Sequence, residues 1–292
     1  MYKIQDDILD FIQKGFKMIN IKTLGPVSAN LISTLYEENK IIFTLSDIER
    51  ITGLNKNAAS DLSSELIKRE LIIRLKPGKY FIIPQEIGKE SLYIGNWFVI
   101  AREIVKSPDY YISYYSAMDI HNMLTQPLTK VYVTTTKREY KRVRKIINTA
   151  FEFIYSNPEK IWGIEEAWVT NTEKVRVSDI ERTIIDCLYK PKYCGGILEI
   201  SKGIWIQKGS IDFEKLINYL EKFNKFVVAK RLGFILQTYN LLDNQLINRF
   251  NKFINQKYYL LDPTLPNYPT YKNNWKLIIN ISPDEIKKAI QV

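Results

Sequence analysis

The sequence predicts an α+β chain in two parts, an N-terminal winged helix-turn-helix domain followed by a mixed α/β C-terminal domain. Three observations carry this. At 292 residues the chain exceeds a usual single-domain core. Residues 27–84 alternate short helical periodicities with brief apolar strands. Beyond residue 91, apolar runs of strand length such as VYVTT and FEFIY precede stretches of helical spacing. The expected boundaries are 1–26 for a helical extension, 27–90 for the helix-turn-helix domain and 91–292 for the α+β domain.

Taken in order, Ile4, Ile8, Phe11 and Ile12 form one stripe, which predicts a packing helix or dimer contact ahead of the first domain. Leu31, Ile32, Leu35 and Tyr36 recur at helical spacing behind a cap at Ser28, and IIFTL is a brief apolar strand. The pentapeptide SDIER follows at 46–50. Its Ser46 and Glu49 have the spacing of a capping box, starting a helix with Ile48 and Ile51 inward that ends at Gly53. The next helix is expected over 56–69, with Ala58, Ala59, Leu62 and Leu66 on one arc and Asn57, Ser60, Asp61, Ser64 and Lys68 on the other. LIIRLKPGKYFIIP then reads as two strands joined by a turn in which Pro77 presets φ and Gly78 accepts positive φ. Helix, strand, helix, tight turn, helix and hairpin, in this order, is the pattern of a winged helix-turn-helix.

The polar arc of the 56–69 helix is narrow and built of short side chains, as a helix entering the major groove requires. Asn57 has the amide to bond adenine twice, while Ser60 and Ser64 reach bases or phosphates. Lys56 and Lys68 are placed for phosphate, with Lys76 and Lys79 doing the same from the hairpin tip. Asp61 is the misfit among them: it either turns away from the phosphates or reads a cytosine amine.

SDIER returns at 178–182, again starting a helix, with Ile184, Ile185 and Leu188 apolar. A third box, Ser282 with Glu285, opens the terminal helix behind Pro283. The flanks of the two SDIER copies diverge at once, so the pentapeptide is a local way of starting helices and no internal repeat. Strands are expected in VYVTT, FEFIY, KIWGIEEAWV and KVRV, and helices over 213–223, 227–239 and 245–254. Between the first two strands, residues 137–145 hold Lys137, Arg138, Lys141, Arg142, Arg144 and Lys145. This run is either a solvated face or a surface gripping phosphates without regard to sequence.

The formal net charge of +10 fits a polyanionic partner. It divides as +1 over residues 1–90, +4 over 91–160 and +5 over 161–292, so the excess lies outside the first domain. Glycine-rich phosphate loops are absent from the sequence, which leaves a nucleotide-using enzyme without its usual anchor. Cys187 and Cys194, with His121 as the one histidine, are too few for a zinc site, and the two cysteines read as reduced thiols. His121, without a partner Ser, Cys or carboxylate at a recognisable spacing, reads as a structural or partly exposed histidine rather than a general base. Glu165, Glu166, Asp179, Glu181 and Asp186, with Lys174, are the residues a metal-dependent nuclease would recruit. Glu173 and Lys174, however, adjoin rather than alternate, so on a strand they point to opposite faces. No run is apolar enough for a membrane helix, and the acidic start MYKIQDDILDF is unlike a signal segment, so a cytoplasmic protein without metal or cofactor is expected.

Three stretches in this order resemble the AbiEi antitoxins of type IV toxin-antitoxin systems: YYISYYSAMDIHNMLTQPLTKVYVTTTKR, KVRVSDIERTIIDCLYKPKYCGGILEI and YYLLDPTLPNYPTYKNNWKLIIN. The likeness covers nearly all of the chain beyond its first 25 residues. Its most telling matches are Ser116 and Ala117 before a helix, Glu181, Arg182 and Thr183 with Asp186, Gly195 and Gly196, and the closing run from Leu261 to Asn280. The resemblance implies a DNA-binding N-terminal domain that represses its own operon, and an antitoxin-like C-terminal domain that counters a nucleotidyltransferase toxin without a stable complex. The leading expectation is therefore a sequence-specific repressor and antitoxin, not an enzyme, reading inverted repeats in double-stranded DNA at its own promoter. The alternatives are a metal-dependent nuclease or DNA-modification subunit targeted by the winged helix, and a stand-alone transcription factor with a sensor domain.

Overall fold

A computed structural model describes residues 24–83, 94–105, 107–138, 143–146, 149–266 and 273–290. The expected helix over the first residues lies outside this set. The chain has an α+β fold and divides into two compact units, Met1–Ser91 and Leu92–Val292.

In the first unit, α1 (Pro26–Glu37), β1 (Ile42–Thr44), α2 (Leu45–Thr52), α3 (Lys56–Lys68), β2 (Ile72–Lys76) and β3 (Lys79–Ile82) surround one apolar core. Leu31, Ile32 and Leu35 of α1 meet Ile48 of α2, Ala59 and Leu66 of α3 and the inner faces of the strands. The strands form an antiparallel sheet in the order β1-β3-β2. Helix α1 starts earlier than expected. Pro26 occupies its first turn behind Gly25, where the missing amide proton costs nothing, and Ser28 lies buried inside the helix. Tyr36, expected inward, is 42% exposed.

The second unit is a mixed six-stranded sheet in the order β6-β7-β5-β4-β9-β8: β4 (Tyr110–Ile112), β5 (Lys130–Thr135), β6 (Val143–Ile146), β7 (Thr149–Tyr155), β8 (Ile164–Trp168) and β9 (Lys174–Ser178). β5 pairs β7 in parallel with Tyr132 beside Glu152, so Phe151 points to the opposite face. On the Phe151 side packs α4 (Ile94–Val105), through Trp97 at 6.1 Å between ring centroids. On the Tyr132 side lie α5 (Tyr114–Ile120), α6 (Ile180–Tyr189), α7 (Ile197–Ile206), α8 (Phe213–Phe223), α9 (Phe226–Thr238), α10 (Asn244–Asn251) and α11 (Pro283–Lys288), sharing one apolar core. A two-residue parallel ladder, β10 (Tyr259–Leu260) with β11 (Leu277–Ile278), lies between α10 and α11 in the chain. Helices α8, α9 and α10 fall where helical spacing placed them. The 137–145 run departs from the expected connection, because Val143–Ile146 forms an edge strand antiparallel to β7.

Two of the three expected capping boxes are corrected. Thr44, not Ser46, caps α2: its hydroxyl accepts from the Asp47 amide, and the Asp47 carboxylate accepts from the Thr44 amide at 2.7 Å. Lys40, 2.6 Å from Asp47, supplies the charge that favours this pair over Ser46 with Glu49. Asp179, not Ser178, caps α6 by accepting from the Arg182 amide at 2.8 Å. Glu181 turns instead to the Asp212 amide and to Lys215, tying α6 to α8. The box of Ser282 and Glu285 on α11 is present as expected.

Buried cations staple the second unit. Lys230 is fully buried and donates to the carbonyls of Asn255 and Lys257 and to the Asn255 side chain. Arg231 donates to Leu188 at the end of α6 and to Leu260 of β10, and burial lowers its pKa to about 10. Asp262 accepts from the Ile197 amide at the start of α7, while its own amide and carbonyl are held by Asn280. Cys187 and Cys194 are free thiols, both buried.

Candidate nucleic-acid interface

The position of α3 is set by α2. Two hydrogen bonds, 2.8 and 2.7 Å long, join Arg50 to Glu38 at the end of α1. Gly53 ends α2 at φ +71°, a left-handed conformation that glycine adopts without strain. Two residues later Asn55 caps α3, its side chain accepting from Ala58 at 3.0 Å. The connection between the helices is thus three residues long.

Along α3 the burial follows the helical period. Ala59, Ser63 and Leu66 are buried; Ala58, Leu62 and Ile67 are intermediate; Lys56, Asn57, Ser60, Asp61, Ser64, Glu65 and Lys68 are exposed. The polar arc expected from the sequence is therefore open to solvent. Ser63 interrupts the apolar stripe, and its hydroxyl lies 3.1 Å from the Tyr80 hydroxyl of β3, a contact that spacing alone does not reveal. The Ser64 hydroxyl donates to the Ser60 carbonyl at 3.0 Å, and the residue is exposed. Glu65 is engaged by Arg69 at 3.1 Å.

The hairpin turns at Pro77 and Gly78, with Gly78 at φ +70°, and pairs Lys76 with Lys79 across its tip. The Gly78 carbonyl accepts from the Leu45 amide at 3.0 Å, so the tip is tied to the first residue of α2. Lys76 and Lys79 are each half-buried. Arg74, exposed on β2, is an additional cation of this hairpin. Strand alternation alone does not single it out, because Ile72 and Leu75 are both buried although three residues apart, and the pairing with β3 shifts register between Arg74 and Lys76.

Asp47 is the titrating element of this assembly. Burial works to raise its pKa, but hydrogen bonds from Lys40 and Thr44 outweigh it and hold the carboxyl below the usual range. A depressed folded-state pKa contributes stability above the unfolded-state value of about 4, and that stability is lost as pH falls through the folded-state value. Asp47→Asn is expected to cost about 1 kcal/mol at pH 7. The gap between wild type and variant should close on acidification below about pH 4, as read by urea unfolding of both proteins at pH 7, 4 and 3.

In the second unit the basic run is partly described. Lys137 and Arg138 follow β5, and Arg144 and Lys145 are exposed on edge strand β6, whereas Lys141 and Arg142 lie outside the described residues. The Arg138 guanidinium stacks 4.2 Å from the ring of Tyr155, itself 40% exposed.

Three of the acids a nuclease would recruit, Asp179, Glu181 and Asp186, are held in structural contacts, while Glu165 and Glu166 are exposed on β8. Asp186 accepts from Arg182 and Tyr111, Asp179 from Arg182 and Tyr219, and Glu181 from Asp212 and Lys215. Lys174 sits 4.6 Å from the Trp168 ring and 3.8 Å from Glu166, while Glu173 pairs with Arg102. Among the described residues no three His, Cys, Asp or Glu are grouped to hold a metal ion, and no helix is long and apolar enough to cross a membrane. The His121 Nε2 lies 2.6 Å from the Ser178 carbonyl, to which it donates, and Ser116 is buried inside α5 rather than capping it, its hydroxyl accepting from the Tyr132 amide at 2.8 Å.

Fold and site together define an α+β protein whose first unit presents a polar helix face to solvent. No protein-family model and no curated protein matches the sequence. Among solved structures, the chain is similar in fold to the RV2827C protein from Mycobacterium tuberculosis, with a TM-score of 0.64 and 12% sequence identity over 92% of this chain and 96% of that one.

Proposed function

We propose that this protein is a sequence-specific DNA-binding repressor whose first unit is a winged helix-turn-helix, and that it serves as the antitoxin of a type IV, AbiE-like system. The observation that carries the DNA-reading role is the division of α3, whose Ala59, Ser63 and Leu66 are buried while Asn57, Ser60 and Ser64 are exposed. In this reading these three side chains meet base edges, and Lys56, Lys68, Lys76 and Lys79 meet phosphates. Arg138, Arg144 and Lys145 add sequence-independent affinity from the second unit. The antitoxin role rests on the resemblance of the three stretches to the AbiEi family. It predicts a nucleotidyltransferase gene beside this one, whose toxicity the protein relieves without co-purifying with the toxin.

Retardation of the protein's own upstream DNA in a gel at two salt concentrations tests the first role, and absence of a shift on that DNA at low salt overturns it. Asn57→Ala is expected to cost about 1–3 kcal/mol at one operator position only. Lys79→Ala should instead weaken all sequences alike and reduce the salt slope by about one unit. Equal losses on operator and scrambled DNA for both variants would remove Asn57 as a reader.

A further inference from the structure

Given the DNA-reading role proposed for α3, on which this rests, we infer that Asp61 is a specificity residue that selects a cytosine and rejects other bases. Two observations on the helix lead there. First, Asp61 does not turn away. At about 100° per residue, the direction opposite Ala59, Ser63 and Leu66 falls among Asn57, Asp61 and Lys68, and all three are exposed. The carboxylate therefore stands at the leading edge of the face that would enter the groove. Second, nothing on the helix neutralises it. The residues three and four positions away are Asn57, Ala58, Ser64 and Glu65, none of them cationic, and Glu65 is itself occupied by Arg69. Among the described residues no ion pair reaches Asp61.

A carboxylate can only accept hydrogen bonds, and DNA offers few donors. In the major groove the cytosine N4 amine is a donor without an acceptor beside it on the same base, whereas the adenine amine adjoins N7, and guanine O6 and N7 and thymine O4 are acceptors. Opposite cytosine the charge is satisfied. Opposite any other base it is desolvated against lone pairs and phosphates, so Asp61 acts chiefly by penalising wrong sequences. Its cost to non-specific affinity is offset by the surrounding lysines.

The test is a base-by-base substitution of the retarded upstream DNA, with binding measured for wild type, Asp61→Ala, Asp61→Asn and Asn57→Ala. Asp61 is exposed, so the variants should melt with wild type. Wild type is expected to prefer a C·G pair at one position by roughly 5- to 150-fold, the range for one good base contact. Asp61→Ala should flatten that position alone and tighten binding to scrambled DNA. Asp61→Asn should move the preference there toward adenine, since an amide can donate to N7 and accept from N6. If Asn57→Ala alters base preference while both Asp61 variants keep the wild-type preference everywhere, the inference about Asp61 fails and the reading role of α3 stands. If wild type binds no DNA, both fall.

Discussion

Gly233→Ala should destabilise the second unit by about 3 kcal/mol or more, although in most helix interiors the same change is stabilising by about 1 kcal/mol. The sign reverses because of Trp275. A Cβ at position 233 would lie 2.0 Å from Cζ3, 2.2 Å from Cη2 and 2.7 Å from Cε3 of that ring, distances no pair of carbon atoms sustains. The ring has nowhere to retreat. Its Nε1 donates to Gln237, its backbone amide donates to Asn273 at 2.9 Å, and its ring stands nearly perpendicular to that of Phe250 at 5.8 Å between centroids. Either α9 shifts from its place in the core, which disturbs the buried Lys230 and Arg231, or the ring is expelled and its apolar burial is lost. Urea unfolding followed by circular dichroism reads the loss, and Gly233→Ala combined with Trp275→Leu should recover part of it. A variant within about 0.5 kcal/mol of wild type would show that the ring does not rest on this helix.

Much of the fold was legible where a side chain's environment follows from its neighbours along the chain. The period of α3, the glycines at 53 and 78, and helices α8 to α10 all depend on local spacing and turn chemistry. The caps were less legible, because SDIER and its flanks hold several competing acceptors. Lys40 decides for Asp47 in one copy, and Lys215 with the Asp212 amide draws Glu181 away in the other. Those partners arrive from other elements. The short strands β4 and β6 escaped notice for a different reason: three and four residues are too few to show alternation, and in VRKI the charges mask it. Polar residues inside the core were the least legible, since Ser63, Lys230, Arg231 and Arg182 have side chains that a sequence reading places at the surface. For the candidate interface, the exposed face of α3, Asp61 included, could be drawn from sequence, but the exposure of Arg74 required the burial pattern.

Asp186→Ala is the change expected to cost the second unit most among its polar residues, about 3–5 kcal/mol, because it strands a charge. Arg182 and Asp186 face each other on successive turns of α6, with Nε 3.0 Å from Oδ1 and side chains 2% and 4% exposed. The guanidinium also donates to the Trp162 carbonyl at 3.3 Å and to the Tyr111 hydroxyl at 3.4 Å, and lies 4.0 Å over the Trp162 ring. Tyr111 in turn donates to Asp186 Oδ2 at 3.0 Å, and burial, then the Asp186 charge, pushes its pKa far up, which keeps it a donor. Removing the carboxylate leaves a buried cation with only neutral partners and a phenol without its acceptor. Replacing both charges, as in Arg182→Met with Asp186→Leu, removes the stranded cation, so the double variant should lose less than Asp186→Ala alone. Urea unfolding of both variants separates the two accounts. If the double variant is the weaker, the ion pair contributes net stability beyond the cost of its burial. If Asp186→Ala falls by less than about 1 kcal/mol, the Arg182 guanidinium must have found water, contrary to the burial described for it.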